Sequence, residues 1–399
     1  MKEDFLPVIL GTDWNVYGVA SSFYQAYGKR SVAFGIRHQA YTNDLDFLEV
    51  YVTDNFTKDE VFVSVLVEFA KKNNDKRLLL ISCSDYYSGL VIRNKAVLSD
   101  YYLLNYIDED LRNRLENKMD FYKVCEEYGL PFPNTVIVNE DDYKTTNIPF
   151  KYPIILKPND SFKWVKIKFS GYKKAYLVNT HEEMVDILDK AYNNGYDDYF
   201  IIQDFIPGGP EAMFVVNAYA DKNGRVVMTH GAQTALDEVL PNDIGNYNAL
   251  ISGEYIQLTR SVKEFLEKIG YVGYANFDFK YDRRDGIYKV FEVNIRQGRS
   301  SFFMTYAGNN FVTYLVDDLI NNKELDYYNH TKEHVWYITA KSVLKKYAPE
   351  ELKPKINRLL NEGKADYGLS FYADKNIKRW WYAVKRKLST IKYYPKLTR

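Results

Sequence analysis

The chain is short of most features that usually announce a function. Its 399 residues hold only two cysteines, Cys83 and Cys125, too few for a disulfide framework or a thiolate metal site. Both fit a reducing compartment as buried packing residues. No stretch approaches the ~18 consecutive apolar residues of a membrane span. The most apolar candidate, Val61 to Ala70, is short and carries Glu68. The opening Met1-Lys-Glu-Asp-Phe lacks the basic and then apolar run of a secretory signal, so the expected location is cytoplasmic. Net charge is missing too: 53 Lys+Arg against 53 Asp+Glu leave no field to recruit nucleic acid. No Ser/His/Asp or Cys/His constellation is legible. The histidines are scattered, and only His230, beside Gly231, is a candidate for lining an acceptor site.

What remains is an ordinary globular composition, 46% hydrophobic and 27% charged, in a chain long enough for two or three domains. Over the first hundred residues strand and helix signals alternate. Strands are expected at Pro7–Gly11, Ser31–Phe34 and Leu78–Ser82, and helices at Val16–Tyr27, Glu60–Lys71 and from Asp85. Strands separated by helical crossovers imply a parallel α/β layer. Its first turn, Gly11-Thr-Asp-Trp-Asn-Val-Tyr-Gly18, is not a GxGxxG fingerprint. It is either a nucleotide site of another design or part of a Rossmann-like scaffold beside one. A charged linker or short helix, Asp108 to Asn117, leads to a helix over Met119–Tyr128 stopped by Gly129 and Pro131. Thr180 and Glu183 make a capping box for the next helix, with Met184, Ile187, Leu188 and Ala191 as its apolar stripe. From Phe200 to Ile295 strands are expected to dominate, with hairpin turns at Asp221–Gly224 and Asp282–Gly286.

The second of those hairpins is the most informative part of the chain. Alternation puts Asn276, Asp278 and Lys280 on one strand face, and Val290, Glu292 and Asn294 on a face of the returning strand. A turn centred near 284 pairs 278 with about 290 and 276 with about 292. Asp278, Glu292 and Asn294 then form a hard-oxygen set suited to Mg²⁺, unless Lys280 pairs with a carboxylate and the face is merely solvated. Directly after come Arg296, Gly298, Arg299, Ser300 and Ser301, which suit an anionic phosphate or carboxylate, or else neutralise the acids beside them. Lys157 ends the apolar run Tyr152–Leu156, where it either meets an anion or snorkels to solvent. Lys118 opens a helix and could project at phosphates. Gln203-Asp204-Phe205-Ile206 runs into a Gly/Pro turn that exposes backbone groups able to read an adenine edge, with Glu211 able to accept from ribose.

In order and spacing these pieces resemble the ATP-grasp superfamily over about residues 1 to 320. The likeness rests on Asn117-Lys118, Ile155-Leu-Lys157-Pro158, Gln203 to Ile206 with Glu211, Asp278, and Glu292-Val-Asn294-Ile-Arg296. It implies a multidomain α/β and α+β chain. A Rossmann-like pre-ATP-grasp domain would span 1–113, an ATP-grasp domain 114–325 with its lid about 133–205, and a C-terminal extension 326–399. It also implies that Lys118 and Lys157 hold ATP phosphates, that Gln203, Asp204, Phe205 and Ile206 form the adenine hinge, and that Glu211 meets ribose. Asp278, Glu292 and Asn294 would hold Mg²⁺, with Arg296 beside the transferred phosphoryl group. Arg296, Arg299 and Ser300 are the candidates for gripping a substrate carboxylate. The opening Phe5–Tyr17 and the run Glu292–Ser301 look most like the D-aspartate ligase group, whose members attach D-aspartate to the lysine side chain of a peptidoglycan precursor. Another amino-acid or dipeptide ligase, or a non-catalytic nucleotide-binding relative, is the alternative. One departure stands out. The segment Asn159–Gly171 holds a single glycine where the lid usually carries a glycine-rich phosphate loop, leaving Lys163, Lys166 or Lys168 to supply charge instead.

The implied chemistry needs no enzyme nucleophile: phosphoryl transfer turns the carboxylate into an acyl-phosphate, which an amine can attack. Beyond Asp374 the chain has no acidic residue, while Lys375, Lys378, Arg379, Lys385, Arg386, Lys387, Lys392, Lys396 and Arg399 follow, with Trp380, Trp381, Tyr382, Tyr393 and Tyr394 among them. Such a tail either rests on an anionic membrane or is a terminal helix packed on the protein.

Overall fold

A computed structural model describes residues 4–239 and 245–397. Arg399 of the basic tail and Met1 to Glu3 lie outside the described residues. The chain divides into two compact units. One comprises Met1–Arg112, Gly209–Asp278 and Asn294–Arg399, the other Asn113–Gly208 and Phe279–Val293.

The first unit opens with four parallel strands, β1 (Phe5–Leu10), β2 (Ser31–Gly35), β3 (Leu48–Val52) and β4 (Arg77–Ser82), in the order β3-β2-β1-β4. β1 and β4 are near-continuous apolar runs because a parallel strand is covered on both faces. The first crossover helix, Trp14–Tyr27, starts where the Asp13 carboxylate accepts from the Asn15 amide and stops at Gly28, whose φ of 64° suits glycine. β3 escaped the sequence reading. Of Leu48-Glu-Val-Tyr-Val52 only Glu49 is charged, but this edge strand is short and its outer end, Tyr51 and Val52, is exposed.

The second unit is built on four antiparallel strands, β5 (Thr135–Val138), β6 (Ile154–Pro158), β7 (Tyr176–Val178) and β8 (Phe200–Asp204), in the order β5-β8-β6-β7. Helix His181–Asn193 begins as expected, the Glu183 amide donating to Thr180 Oγ1 at 3.2 Å. Its buried Met184, Ile187, Leu188 and Ala191 join a cluster with Trp164. Trp164 belongs to the short helix Ser161–Trp164, in the segment that lacks glycine. Its ring stacks on Tyr172 with centroids 5.1 Å apart, meets Tyr196 and Phe200 edge-on at 5.2 and 5.4 Å, and donates from Nε1 to Lys173 O at 2.9 Å.

A larger sheet holds β9 (Met213–Ala220), β10 (Val226–Asp237), β11 (Tyr247–Ser252), β12 (Gly273–Asp282), β13 (Ile287–Asn294), β14 (Tyr328–His330), β15 (His334–Tyr337) and β16 (Ala365–Tyr367). Its path runs β13-β12-β9-β10-β11-β15-β16, with β14 beside β10. The turns at Asp221–Gly224 and Asp282–Gly286 form as expected, closed by amide bonds from Gly224 to Asp221 O at 3.0 Å and from Gly286 to Asp282 O at 2.8 Å. The outer half of the β12–β13 hairpin, Phe279–Val293, counts with the second unit. Strands dominate from Phe200 to Ile295 as expected, and helix Ile256–Lys268, which the sequence reading did not mark, lies among them and buries Leu258, Val262, Phe265 and Leu266. Among the described residues no helix is long and apolar enough to cross a membrane.

His230 does not line an open site. It is fully buried in β10 opposite His330 of β14, their rings 4.2 Å apart, with Ser252 Oγ 3.1 Å from its Nε2. Burial, then the neighbouring His330 and His334, hold its pKa well below the ordinary imidazole value. Burial, then Lys332 and His334, bring His330 down to about 4. The unfolded chain therefore binds protons that the folded chain refuses, and stability falls on acidification. Thermal melts should show Tm dropping as pH falls from 6.5 towards about 4, where His330 finally protonates. A Tm that stays level across that window, or that falls as steeply in His330→Asn, would overturn the neutral buried pair.

Candidate active site

Each unit contributes a cluster of the residues singled out from the sequence. In the second unit, Lys157 stands near the end of β6, beside Gln203 of β8. Its Nζ donates to Gln203 Oε1 at 2.9 Å and sits 4.8 Å from the centroid of the Phe291 ring. Burial lowers its pKa to about 8, against the attraction of Glu292, and repulsion from Lys118 adds to the lowering. Lys118 is the first residue of helix Lys118–Tyr128, which Asn117 caps by accepting from the Asp120 amide. Its Nζ donates to Asn159 O at 3.2 Å, and burial lowers its pKa while Glu292 and Asp160 raise it. Two desolvated cations, a carboxylate and an aromatic face thus share one place, where charge has little water around it. An added anion would find both lysines ready to bind.

Gln203 is occupied on both sides, since its Nε2 donates to Thr135 Oγ1 at 3.0 Å. The Asp204 carboxylate is tied to Arg284 at 2.7 Å, so its side chain serves the hairpin turn; any nucleotide contact there falls to the backbone. Ile206 is buried, and Phe205 lies under Lys280, Nζ to centroid 5.3 Å. In the segment Asn159–Gly171, Lys163 pairs with Asp197 at 3.1 Å and Lys168 sits over Tyr172 at 5.0 Å.

The first unit gathers the arginine side. Arg296 bridges to Asp85 at 2.9 Å, to Asn294 Oδ1 at 3.3 Å and to its neighbour's carbonyl, Gln297 O, at 2.9 Å. Asn294 Nδ2 donates to Asn276 Oδ1 at 3.1 Å, and Tyr247 OH donates to Asp278 Oδ1 at 2.5 Å. Asp13 belongs to the same cluster. Burial raises its pKa, opposed first by Arg299 and more weakly by Arg296. Ser300 is buried beside them. Gly298 threads between two asparagines, its amide donating to Asn217 Oδ1 at 2.8 Å, and a Cβ there would fall 2.8 Å from Asn276 Nδ2. Around it Asn217 Nδ2, Asn276 Nδ2, Ser301 Oγ, Arg296 Nε and Asp85 Oδ1 are buried without a hydrogen-bond partner. Unpaired buried polar atoms on this scale suit a polar ligand that completes them.

The division between units falls across the remaining candidates. Asp278 and Asn294 belong to the first unit and Glu292 to the second; Glu211 is in the first and the 203–206 segment in the second. Glu211 accepts from the Gly209 amide through Oε1 at 2.8 Å. Among the described residues no three His, Cys, Asp or Glu side chains gather as a metal cluster, and the proposed oxygen set has two carboxylates and one carboxamide. Sequence reasoning missed Asp13 and Asp85. Asp13 carried one signal, its N-cap position before Trp14; Asp85 meets Arg296 across 211 residues, which no local pattern records.

No family model matches the chain. A D-aspartate ligase from Enterococcus faecium is 40% identical over 392 residues, covering 95% of this chain and 93% of that protein. The chain belongs to the D-aspartate ligase family. Two solved structures share its fold. The biotin carboxylase domain of the Hydrogenobacter thermophilus 2-oxoglutarate carboxylase, in complex with MgADP, ADP and bicarbonate, has a TM-score of 0.62 at 14% identity and covers 84% of this chain and 74% of its own. An L-amino acid ligase from Bacillus licheniformis has a TM-score of 0.56 at 14% identity, covering 80% and 75%. The ATP-grasp fold expected from the motifs is thus borne out, and the family makes the chain a ligase.

In this D-aspartate ligase family member, Lys157 is a charge kept in a poor place for it. Lys157→Met should therefore raise the stability of the ligand-free protein by about 1–3 kcal/mol while turnover is lost. Calorimetric melts without nucleotide, paired with an activity assay, check both. A less stable Lys157→Met protein, or one with normal turnover, would remove Lys157 from the anion site.

Proposed function

We propose that the chain uses ATP and Mg²⁺ to activate a carboxylate of D-aspartate and join it to the lysine side-chain amine of a peptidoglycan precursor. It would act in the cytoplasm, in peripheral contact with the inner membrane face. The observation that carries this reading is the 40% identity to a D-aspartate ligase over almost the whole of both chains. The two clusters support it. Lys118 and Lys157 are the residues for ATP phosphates, the 203–206 backbone for adenine and Glu211 for ribose. Arg296, Arg299 and Ser300 are the residues for the substrate carboxylates. Asp13 and Asp85 add negative charge beside the arginines, which suits the ammonium group of an amino acid.

A carboxylate is a poor electrophile. Its oxygen attacks the γ-phosphorus of ATP, the bond to the β-phosphate oxygen breaks, and ADP leaves. The amine then attacks the acyl carbon, and phosphate departs with the pair of electrons that joined it. An amide and a proton remain. Arg296 would neutralise charge on the substrate carboxylate and the lysines charge on the phosphates; no protein group forms a covalent bond to the substrate. The oxygen set of Asp278, Glu292 and Asn294 has the chemistry to hold Mg²⁺, which when bound neutralises phosphate charge.

Glu292→Gln should abolish Mg²⁺-dependent ADP release while the protein still folds and melts cooperatively; near-normal release would refute the metal assignment. With ¹⁸O in the substrate carboxylate, label should reach the released phosphate, and label held wholly in the amide, or cleavage to AMP, would exclude the acyl-phosphate. D-aspartate should be preferred over D-alanine. Activity on D-alanine with none on D-aspartate would favour a dipeptide ligase.

A further inference from the structure

The C-terminal helix, Ile377–Leu397, has two faces of opposite design. One is fastened to the protein. Arg379 pairs with Asp374 at 3.1 Å and also donates to Ala40 O, and the Tyr382 ring meets Tyr41 at 5.3 Å. Arg386 pairs with Glu238 at 2.5 Å, Thr390 Oγ1 accepts from the Ala340 amide at 3.1 Å, and Tyr394 OH donates to Asp237 O. Every partner lies in the same unit as the helix. The inward arginines are thereby neutralised, and the helix axis is held along the surface rather than away from it.

The other face breaks the usual rule for a surface helix, whose solvent side is polar. Ile377, Trp381, Val384, Leu388 and Ile391 recur at steps of four and three and so form one apolar stripe. Ile377 is 71% exposed, Trp380 59%, Trp381 53% and Leu388 60%. At ~100° per residue Lys378, Lys385, Lys392 and Lys396 line one edge of that stripe. Lys378 has Asp44 at 3.6 Å; among the described residues no ion pair is recorded for the other three. No acidic residue lies on the helix or after it.

We propose that this outer face docks the enzyme on an anionic lipid surface, with the helix lying in the plane of the headgroups. Indole rings favour the membrane interface, aliphatic side chains the acyl boundary just below it, and lysines at the edge reach anionic headgroups. Charge decides against the main competitor, a second copy of the chain. Packing two such faces together would set lysine rows near each other with no acid on either helix, and only Asp44 beside Lys378, to meet them. The helix is also too polar to insert across the bilayer. The inference is independent of what the active site does, since docking needs neither nucleotide nor substrate.

The test is co-sedimentation of the full chain with phosphatidylcholine vesicles, with and without phosphatidylglycerol, at low and high salt. Wild type should bind only the anionic vesicles and lose about tenfold or more in affinity at high salt. Two variants change exposed side chains alone: Trp380→Ser/Trp381→Ser/Leu388→Ser and Lys385→Gln/Lys392→Gln/Lys396→Gln. Each should keep the wild-type melting curve and bind at least about tenfold more weakly, the lysine variant losing most of its salt dependence. Absence of binding to anionic vesicles at low salt overturns the proposal, as does undiminished binding by both variants. So does a wild type that leaves the vesicles alone but dimerises with concentration while the tryptophan variant stays monomeric, which would assign the face to a second copy.

Discussion

The constraint on which the site turns is the desolvation of positive charge. A lysine removed from water loses hydration that a neutral acceptor only partly replaces. In this chain the loss is concentrated in one unit. Lys157 meets the carbonyl oxygen of Gln203 and the face of Phe291, and Lys118 a backbone carbonyl, with Glu292 close enough to act on both. The strand register that sets Gln203 against β6 and the helix start that turns Lys118 inward are the structural means. A protein selected for stability alone would have placed leucine or methionine at 157. The cost makes sense as preorganisation for an anion: donors already dehydrated and aimed do not have to be stripped of water when the ligand arrives.

Much of this architecture was legible because local chemistry agreed with it. Gly28 ends the first helix, Thr180 with Glu183 starts another, and the turns at 221–224 and 282–286 sit where Asp and Gly invite them. Helix Ile256–Lys268 was overlooked although Leu258, Val262, Phe265 and Leu266 carry a helical period. Its N-cap, Tyr255, provides no side-chain cap bond, so nothing marked the start. β3 failed for the opposite reason. It is five residues long and sits at the sheet edge beside β2 with Tyr51 and Val52 exposed, so no buried apolar run marked it.

The site divides in the same way. Lysines at element ends, the Asp/Glu/Asn triplet and the arginines after it announced themselves by residue type and spacing. What residue type could not announce was pairing at long range. Asp85 is an unremarkable first residue of a helix until Arg296 is found against it, and the orphaned amides of Asn217 and Asn276 become visible only when the sheet brings them to Gly298. The segment Asn159–Gly171 shows a substitution of means. Where glycines were missing, the second unit fills the segment with Trp164 and its ring of tyrosines and phenylalanines, so order there comes from aromatic packing rather than backbone freedom.

Gly298 carries a consequence for redesign. Any side chain at this position starts with an atom inside the hydrogen-bonding distance of Asn276 Nδ2 and 3.2 Å from Asn217 Oδ1, two groups on neighbouring strands of a packed sheet. The clash cannot be relieved by a rotamer change at 298, because the offending atom is the Cβ itself. A larger residue at 298 therefore requires the carboxamides of Asn276 and Asn217 to move, which ties any change at this position to the hydrogen bonds those two side chains make with Asn294 and with the Gly298 amide.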